Sequence, residues 1–236
     1  MFNSIKRLAA SLLIAVLLVG SFSVTSAEAA LAKPANAHFV RWNNKQFTSC
    51  RIGWNKVKNA DGYEIKWTYT DRSHYKHTYQ YYIYNVLDIN GLSNENVYQV
   101  QVRAIKLNSK NKPSGYSPWS NYVFITPWPR NLSGRLSGSH NVKIKWNKIN
   151  GCSGYNILLT TNPYGSWRWN QYTAEKASAT SCKIKKYQKS HLKKYTNYYI
   201  RVMTRLKRNG HYLSNPAPGA GYYSGTFYIY KTYTYN

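Results

Sequence analysis

The chain has 236 residues, with 33 Lys+Arg against 7 Asp+Glu, and 24 of its residues are tyrosine. A formal net charge of +26 makes polyanions its natural partners and disfavours other cations. So few carboxylates also leave little material for acid–base catalysis or for an oxygen-ligand metal site.

Residues 1–29 are expected to form a secretory signal peptide. Lys6-Arg7 precede an apolar run from Leu8 to Val19, and small residues lead to Ala27-Glu28-Ala29, an A-x-A pattern that places cleavage after Ala29. The run is shorter than the ~18 apolar residues a spanning helix needs. No cysteine lies beside the site and no second long apolar stretch follows. The C-terminal Tyr-Thr-Tyr-Asn carries neither a hydrophobic tail nor a sorting pattern. The expected mature chain is soluble, without a transmembrane segment, and secreted to the extracellular side, where it is free to associate with a cell wall. It keeps 31 Lys+Arg and 6 Asp+Glu, a net charge of +25.

Two stretches of this mature chain repeat one another. WNKVKNADGY runs from Trp54 to Tyr63 and WNKINGCSGY from Trp146 to Tyr155, 92 residues apart. Leu92 precedes Tyr98 by six positions, as Leu192 precedes Tyr198. The near-constant offset marks a duplicated module. Within each copy, apolar and polar residues alternate. Cys50, Ile52 and Trp54 match Val142, Ile144 and Trp146; Tyr63, Ile65 and Trp67 match Tyr155, Ile157 and Leu159; Tyr98, Val100, Val102 and Ala104 match Tyr198, Ile200 and Val202. Period-two alternation of aromatic and β-branched residues predicts half-buried strands. The first module's last strand, Tyr122 to Ile125, should end at Thr126-Pro127-Trp128-Pro129, because proline cannot donate to a central ladder. The modules, residues 33–127 and 129–230, are expected to fold separately across a short, stiff connection.

The tryptophan ending the second strand, the Gly-Tyr opening the third and the Leu-x5-Tyr before the sixth resemble the fibronectin type III domain. ADGYEI, from Ala60 to Ile65, and Ser-Pro-Trp-Ser at 117–120 look like versions common in exported proteins of Gram-positive bacteria. The resemblance covers Pro34 to Pro127 closely. Across Pro129 to Tyr230 it meets a longer stretch from Thr160 to His191 and an unusual Pro216-Ala217-Pro218-Gly219. It implies an all-β fold: two tandem immunoglobulin-like (fibronectin type III) β-sandwiches after the signal peptide, the second more divergent. It further implies that Trp54, Trp146, Leu92 and Leu192 are core residues, and that Tyr98 and Tyr198 are tyrosine corners bonded to upstream backbone. By the same resemblance Cys152 and Cys182 fall at one pole, which makes them the disulfide candidate. Cys50, inward with Ile52 and Trp54, is then the unpaired one of the three cysteines.

Three surfaces are candidates for binding. The first is Tyr164-Gly165-Ser166-Trp167-Arg168-Trp169-Asn170-Gln171-Tyr172. In a strand Trp167 and Trp169 share a face and offer sugar-stacking platforms; the competing reading is that they cover the core or the module junction. The second is the run Tyr75 to Tyr84, where Tyr75, Tyr79, Tyr81 and Ile83 are expected to pack while Tyr82 and Tyr84 face water. Such tyrosines suit binding and are equally good strand formers. The third is the basic cluster Lys183, Lys185, Lys186, Lys189, Lys193 and Lys194, with Arg201, Arg205, Lys207 and Arg208 beyond it. It is either a solvated face or a polyanion contact. Aromatics among cations also fit single-stranded nucleic acid, but no nucleic-acid motif accompanies them.

No catalytic motif is present. The mature carboxylates are Asp61, Glu64, Asp71, Asp88, Glu95 and Glu175, none suggestively paired, and His74 and His77 lack further metal partners. No enzyme, metal or cofactor is expected. The expected function is that of a secreted, non-catalytic binding or spacer protein. Its partners would be an anionic cell-wall polymer or glycan, or another surface protein. The alternative is a structural, matrix-type protein assembling through tyrosine-rich strands.

Overall fold

The computed structural model describes residues 30–70, 83–165, 167 and 176–229, together with the backbone of 75–76 and 172–174. The expected signal peptide lies outside the described residues, as do His74, His77, Arg168, Trp169, Glu175 and the side chain of Tyr172. In the first module the strands are β1 (His38–Trp42), β2 (Ser49–Gly53), β3 (Gly62–Tyr69), β4 (Tyr75–Lys76), β5 (Val86–Asn90), β6 (Tyr98–Leu107), β7 (Pro113–Tyr116) and β8 (Val123–Ile125). The second module holds β9 (Ser133–Leu136), β10 (Val142–Lys145), β11 (Gly154–Thr160), β12 (Tyr172–Ala174), β13 (Ser181–Ile184), β14 (Lys186–Tyr187), β15 (Ser190–His191), β16 (Thr196–Arg208), β17 (His211–Leu213) and β18 (Gly225–Ile229).

All pairings among the strands are antiparallel. A sheet in the order β1-β2-β5 faces a sheet in the order β4-β3-β6-β7, with β8 also on β6. The second module repeats this as β9-β10-β13 against β12-β11-β16-β17, with β18 on β16. The fold is all-β: two tandem immunoglobulin-like sandwiches.

The repeated residues occupy repeated places. Trp54 and Trp146 are 2% and 4% exposed. Each meets the Gly-Tyr tyrosine edge-on, Trp54 on Tyr63 at 5.2 Å and Trp146 on Tyr155 at 5.3 Å between ring centres, both at 67°. The same tyrosines accept backbone hydrogen bonds: Val57 N–H donates to Tyr63 Oη at 2.7 Å and Ile149 N–H to Tyr155 Oη at 2.8 Å. Between tryptophan and tyrosine the chain turns through a left-handed residue, Asn59 (φ 62°) in one copy and Gly151 (φ 74°) in the other. Asparagine and glycine are the residues that enter that region most cheaply. Leu92 and Leu192 are buried, as are Tyr98 and Tyr198. The hydroxyl of Tyr98 accepts the Ser93 N–H at 2.6 Å, and that of Tyr198 accepts the Lys193 N–H at 2.8 Å.

The edge strand of each larger sheet is interrupted. In the first module the break falls at Ser-Pro-Trp-Ser, where Ser117 and Ser120 Oγ accept the N–H groups of Ala104 and Val102 on β6. The serines therefore keep β6 hydrogen-bonded where proline breaks the ladder. In the second module Ser224 Oγ takes the Val202 N–H in the same way.

Two expectations need correction. Cys50, Cys152 and Cys182 are all free thiols, so Cys152 and Cys182 are not bridged. Cys152 Sγ lies 3.9 Å from the Ala177 carbonyl and beside the Tyr155 hydroxyl. Cys182 is held opposite Ile144 on β13, packed against the second core. Each thiol thus has its own surroundings, fixed by a different element. The second correction concerns Ile83, which is 68% exposed rather than packed, with Tyr84 exposed beside it at 59%. Ile83 to Asn85 form a bend rather than a strand, so alternation does not extend to them.

The Pro-Trp-Pro connection is itself packed. Trp128 is 1% exposed and belongs to the first core. Its indole N–H donates to the Asn215 carbonyl at 3.0 Å, and its ring lies 6.0 Å from Phe47 and 5.7 Å from Tyr222. Asn215 N–H donates to Thr126 Oγ1 at 2.7 Å, and Thr204 Oγ1 donates to the Pro127 carbonyl. Met203, Ala217 and Tyr222 of the second module pack against the first core, while Val97 lies in the second. The Pro216-to-Gly219 stretch thus belongs to the segment that closes over Trp128.

Candidate functional site

Two of the three binding candidates lie on the second module. The Tyr75–Tyr84 run belongs to the first, and Tyr79, Tyr81, Tyr82 and the side chain of Tyr75 lie outside the described residues. The second module's chemistry follows from what replaces the first module's ion pairs. In the first module Arg51 on β2 donates to Asp88 on β5 through Nε at 2.8 Å and Nη2 at 2.6 Å. This bidentate contact holds the Asp88 carboxyl at a pKa of about 2. Arg103 pairs with buried Glu64 across β6 and β3, and Lys106 pairs with Asp61 at 3.2 Å. The Leu107 N–H and then Lys106 lower the Asp61 pKa.

Counting back from the repeated tryptophans, Lys143 stands where Arg51 stands, and its cross-strand partner is Lys183 instead of an aspartate. Asn156 and Met203 face one another where Glu64 and Arg103 do. Ser153 replaces Asp61, its hydroxyl accepting the Lys207 N–H at 2.9 Å. From Pro129 onward the sequence holds 18 Lys+Arg and one acid, Glu175; residues 30–128 hold 13 and five. Lys185, Lys186, Lys193 and Lys194 are exposed around the β14–β15 hairpin and the turn into β16.

The aromatic candidate divides. Tyr164 is 85% exposed. Trp167 is half-buried, lies outside any strand and donates its indole N–H to the Pro163 carbonyl at 3.1 Å. The Arg201 guanidinium sits 3.9 Å from its ring centre and donates through Nε to the Tyr222 carbonyl at 2.7 Å. Burial lowers the Arg201 pKa. One face of Trp167 is therefore taken by a cation, which corrects the expectation of a free stacking platform in a strand. The first module carries a similar stack: Lys66 lies 3.9 Å and Arg103 4.6 Å from the Trp119 ring centre, and Arg103 also covers Tyr116 at 3.7 Å. Desolvation, then the neighbouring Arg103, lowers the Lys66 pKa. Such stacks hold long cationic side chains against the sheet.

Among the described residues no group of three or more His, Cys, Asp or Glu is placed to hold a metal, and no helix is long and apolar enough to cross a membrane.

No family profile matches the sequence, and no curated protein is significantly similar to it. Among solved structures the chain aligns with the crystal structure of the FN1–FN3 domains of chicken CNTN1, at 18% identity and a TM-score of 0.31, over 79% of its own length. The alignment spans 64% of that structure's chain, under two thirds of its length.

Proposed function

We propose that the protein is a secreted, non-catalytic binding protein that associates with anionic polymers of the cell envelope through its second module. One observation carries this reading: the second module repeats the first module's frame, yet the positions that hold ion pairs in the first hold lysines or uncharged residues in the second. Lys143 and Lys183 face one another with no acid in their strands, and the field they direct outward attracts polyanions. The first module, with most of the acids, acts as spacer and as support for the joint at Trp128.

Such binding is electrostatic and yields to salt, because screening shortens with ionic strength. A matrix protein assembled through tyrosine-rich strands would instead resist salt and sediment as polymer. Binding of the purified chain to isolated cell envelope at ~50 mM and ~500 mM salt separates the two. Release at the higher salt is the expected result; salt-resistant sedimentation of the protein alone would favour the matrix reading.

A further inference from the structure

The outer face of the β9-β10-β13 sheet carries a row of cations that, among the described residues, has no acidic side chain paired to it. Arg135 on β9 is the cross-strand partner of Lys143 on β10, which is in turn the partner of Lys183 on β13. Val142 and Ile144 point into the core on either side of Lys143, so the three charged side chains point outward together. With strands about 4.8 Å apart, the row spans roughly 10 Å. Lys145 lies two residues on from Lys143, on the same face, with Ser133 and Ser181 opposite it. No residue of these three strands is acidic. Like charges placed directly opposite one another destabilise a sheet, and at the corresponding place the first module has Arg51 and Asp88.

A shallow groove of about 240 Å³ opens on this face, lined by Ser133, Gly134, Arg135, Lys143 and Lys145. Its lining contains a guanidinium fork, two ammonium groups and a hydroxyl, all hydrogen-bond donors to oxyanions. It contains no aromatic ring on which a sugar could stack. The adjoining groove, which shares Gly134 and Arg135, is the one that adds the rings of Phe227 and Tyr228; the five residues of this groove offer oxyanion donors rather than a stacking face.

Resting on the polyanion reading above, we infer that the Arg135–Lys143–Lys183 row and its groove form the docking site for a linear polymer with phosphate groups in its backbone. Successive phosphates bridge the three strands and relieve the repulsion between the facing lysines.

The test uses the full mature chain and long-chain inorganic polyphosphate, with heparin and hyaluronate as sulfated and carboxylated glycans. Lys143→Gln/Lys183→Gln is compared with Lys56→Gln/Lys58→Gln, which removes the same charge from exposed positions of the first module. The row variant should lose about tenfold or more in polyphosphate affinity at low salt. Its slope of log affinity against log salt should fall by about two charges' worth. The control should change by less than about twofold, and Lys143→Arg/Lys183→Arg should retain binding, since either cation serves a phosphate. Because a like-charge pair is removed, melting of the row variant should stay level or rise.

Equal losses in the row variant and the control would overturn the site in favour of diffuse net charge. An unchanged row variant in a chain that still binds polyphosphate would overturn it while leaving the polyanion reading standing. Tighter binding of heparin or hyaluronate than of polyphosphate would overturn the phosphate class. Failure of the wild-type chain to bind any of the three polymers would remove both readings.

Discussion

The two modules share a frame and differ in what they do with charge. Tryptophan against tyrosine, tyrosine hydroxyl against backbone N–H, and the strand order of both sheets recur with near-constant offsets. Of the first module's 13 cations, three are paired with acids among the described residues: Arg51 with Asp88, Lys106 with Asp61 and Arg103 with buried Glu64. The second has Lys143 against Lys183, Asn156 against Met203 and the Ser153 hydroxyl accepting the Lys207 N–H. The difference teaches that the inward residues specify the fold, while outward pairs can be exchanged for a cationic surface. A partly exposed pair such as Arg51–Asp88 is worth no more than ~1 kcal/mol. The buried Glu64–Arg103 pair is replaced on both sides, by Asn156 and Met203, so no lone buried charge is left behind.

The largest effects should come from residues on which both modules depend. Trp128→Ala should destabilise by about 3–5 kcal/mol, the range for a buried tryptophan. Trp54→Ala and Trp146→Ala should cost similar amounts, because their surroundings match. Urea unfolding followed by tryptophan-independent circular dichroism measures all three. A Trp128 variant as stable as wild type would reduce the joint to a passive linker. A Trp54 variant far more costly than Trp146 would break the equivalence of the two frames.

Next come the tyrosine corners. Tyr98→Phe and Tyr198→Phe each remove the acceptor of a partly buried N–H, at a cost of about 1–3 kcal/mol. Hydrogen exchange at the Ser93 and Lys193 amides should speed up in the respective variants. Unchanged exchange would show that the hydroxyls are incidental to the turn.

A smaller effect separates the modules by pH. The Asp88 carboxyl is held at a pKa of about 2, chiefly by Arg51, and Asp61 is also depressed, chiefly by the Leu107 N–H. Their unfolded values lie near 4. A depressed carboxylate contributes stability that is full above its unfolded pKa and is lost as pH falls through its folded pKa. Between about pH 4 and pH 2 the first module should therefore weaken more than the second, as residue-resolved hydrogen exchange across that range would record. The reverse order would show that the ion pairs contribute little.

The smallest perturbation concerns the thiols. Burial pushes the Cys50 and Cys182 thiols up to about 12, leaving little thiolate to react near neutral pH. Three alkylatable cysteines after unfolding without reductant, and slow labelling of Cys50 and Cys182 before it, are expected. A Cys152–Cys182 bridge in the mass spectrum of non-reduced protein would contradict the free-thiol arrangement.

Much of the frame is legible in the sequence, because it is written in periodic and repeated residues. Trp54 and Trp146 each precede Gly-Tyr at one spacing, and Tyr98 and Tyr198 each follow a leucine by six. The joint was not legible: Trp128 between two prolines looks like a linker, and nothing local connects it to Asn215, 87 residues away. The unusual Pro216-to-Gly219 segment was the available signal, since a departure from a repeat needs a local reason. Of the cationic row only Lys183 is legible, as the first member of the basic cluster. Arg135, Lys143 and Lys183 are far apart in sequence and become neighbours only through strand register. Lys185, Lys186, Lys193 and Lys194 drew attention because they are close in sequence. Trp167 was expected on a strand from a pattern of two tryptophans, but the chain places it in a loop under Arg201.

The exchange of one charge pair between the modules tests the central claim most directly. Asp88→Lys would give the first module the like-charge arrangement of the second, and Lys183→Asp would give the second the ion pair of the first. Polyphosphate binding is measured by titration on each single variant and on the double variant, whose net charge equals that of wild type. Lys183→Asp should lose affinity and melt slightly higher, Asp88→Lys should gain affinity and melt slightly lower, and the double variant should bind mainly through residues of the first module. Identical binding by the double variant and wild type through unchanged second-module contacts, seen as the same chemical-shift footprint, would contradict the claim that cross-strand pairing decides which module meets the polymer.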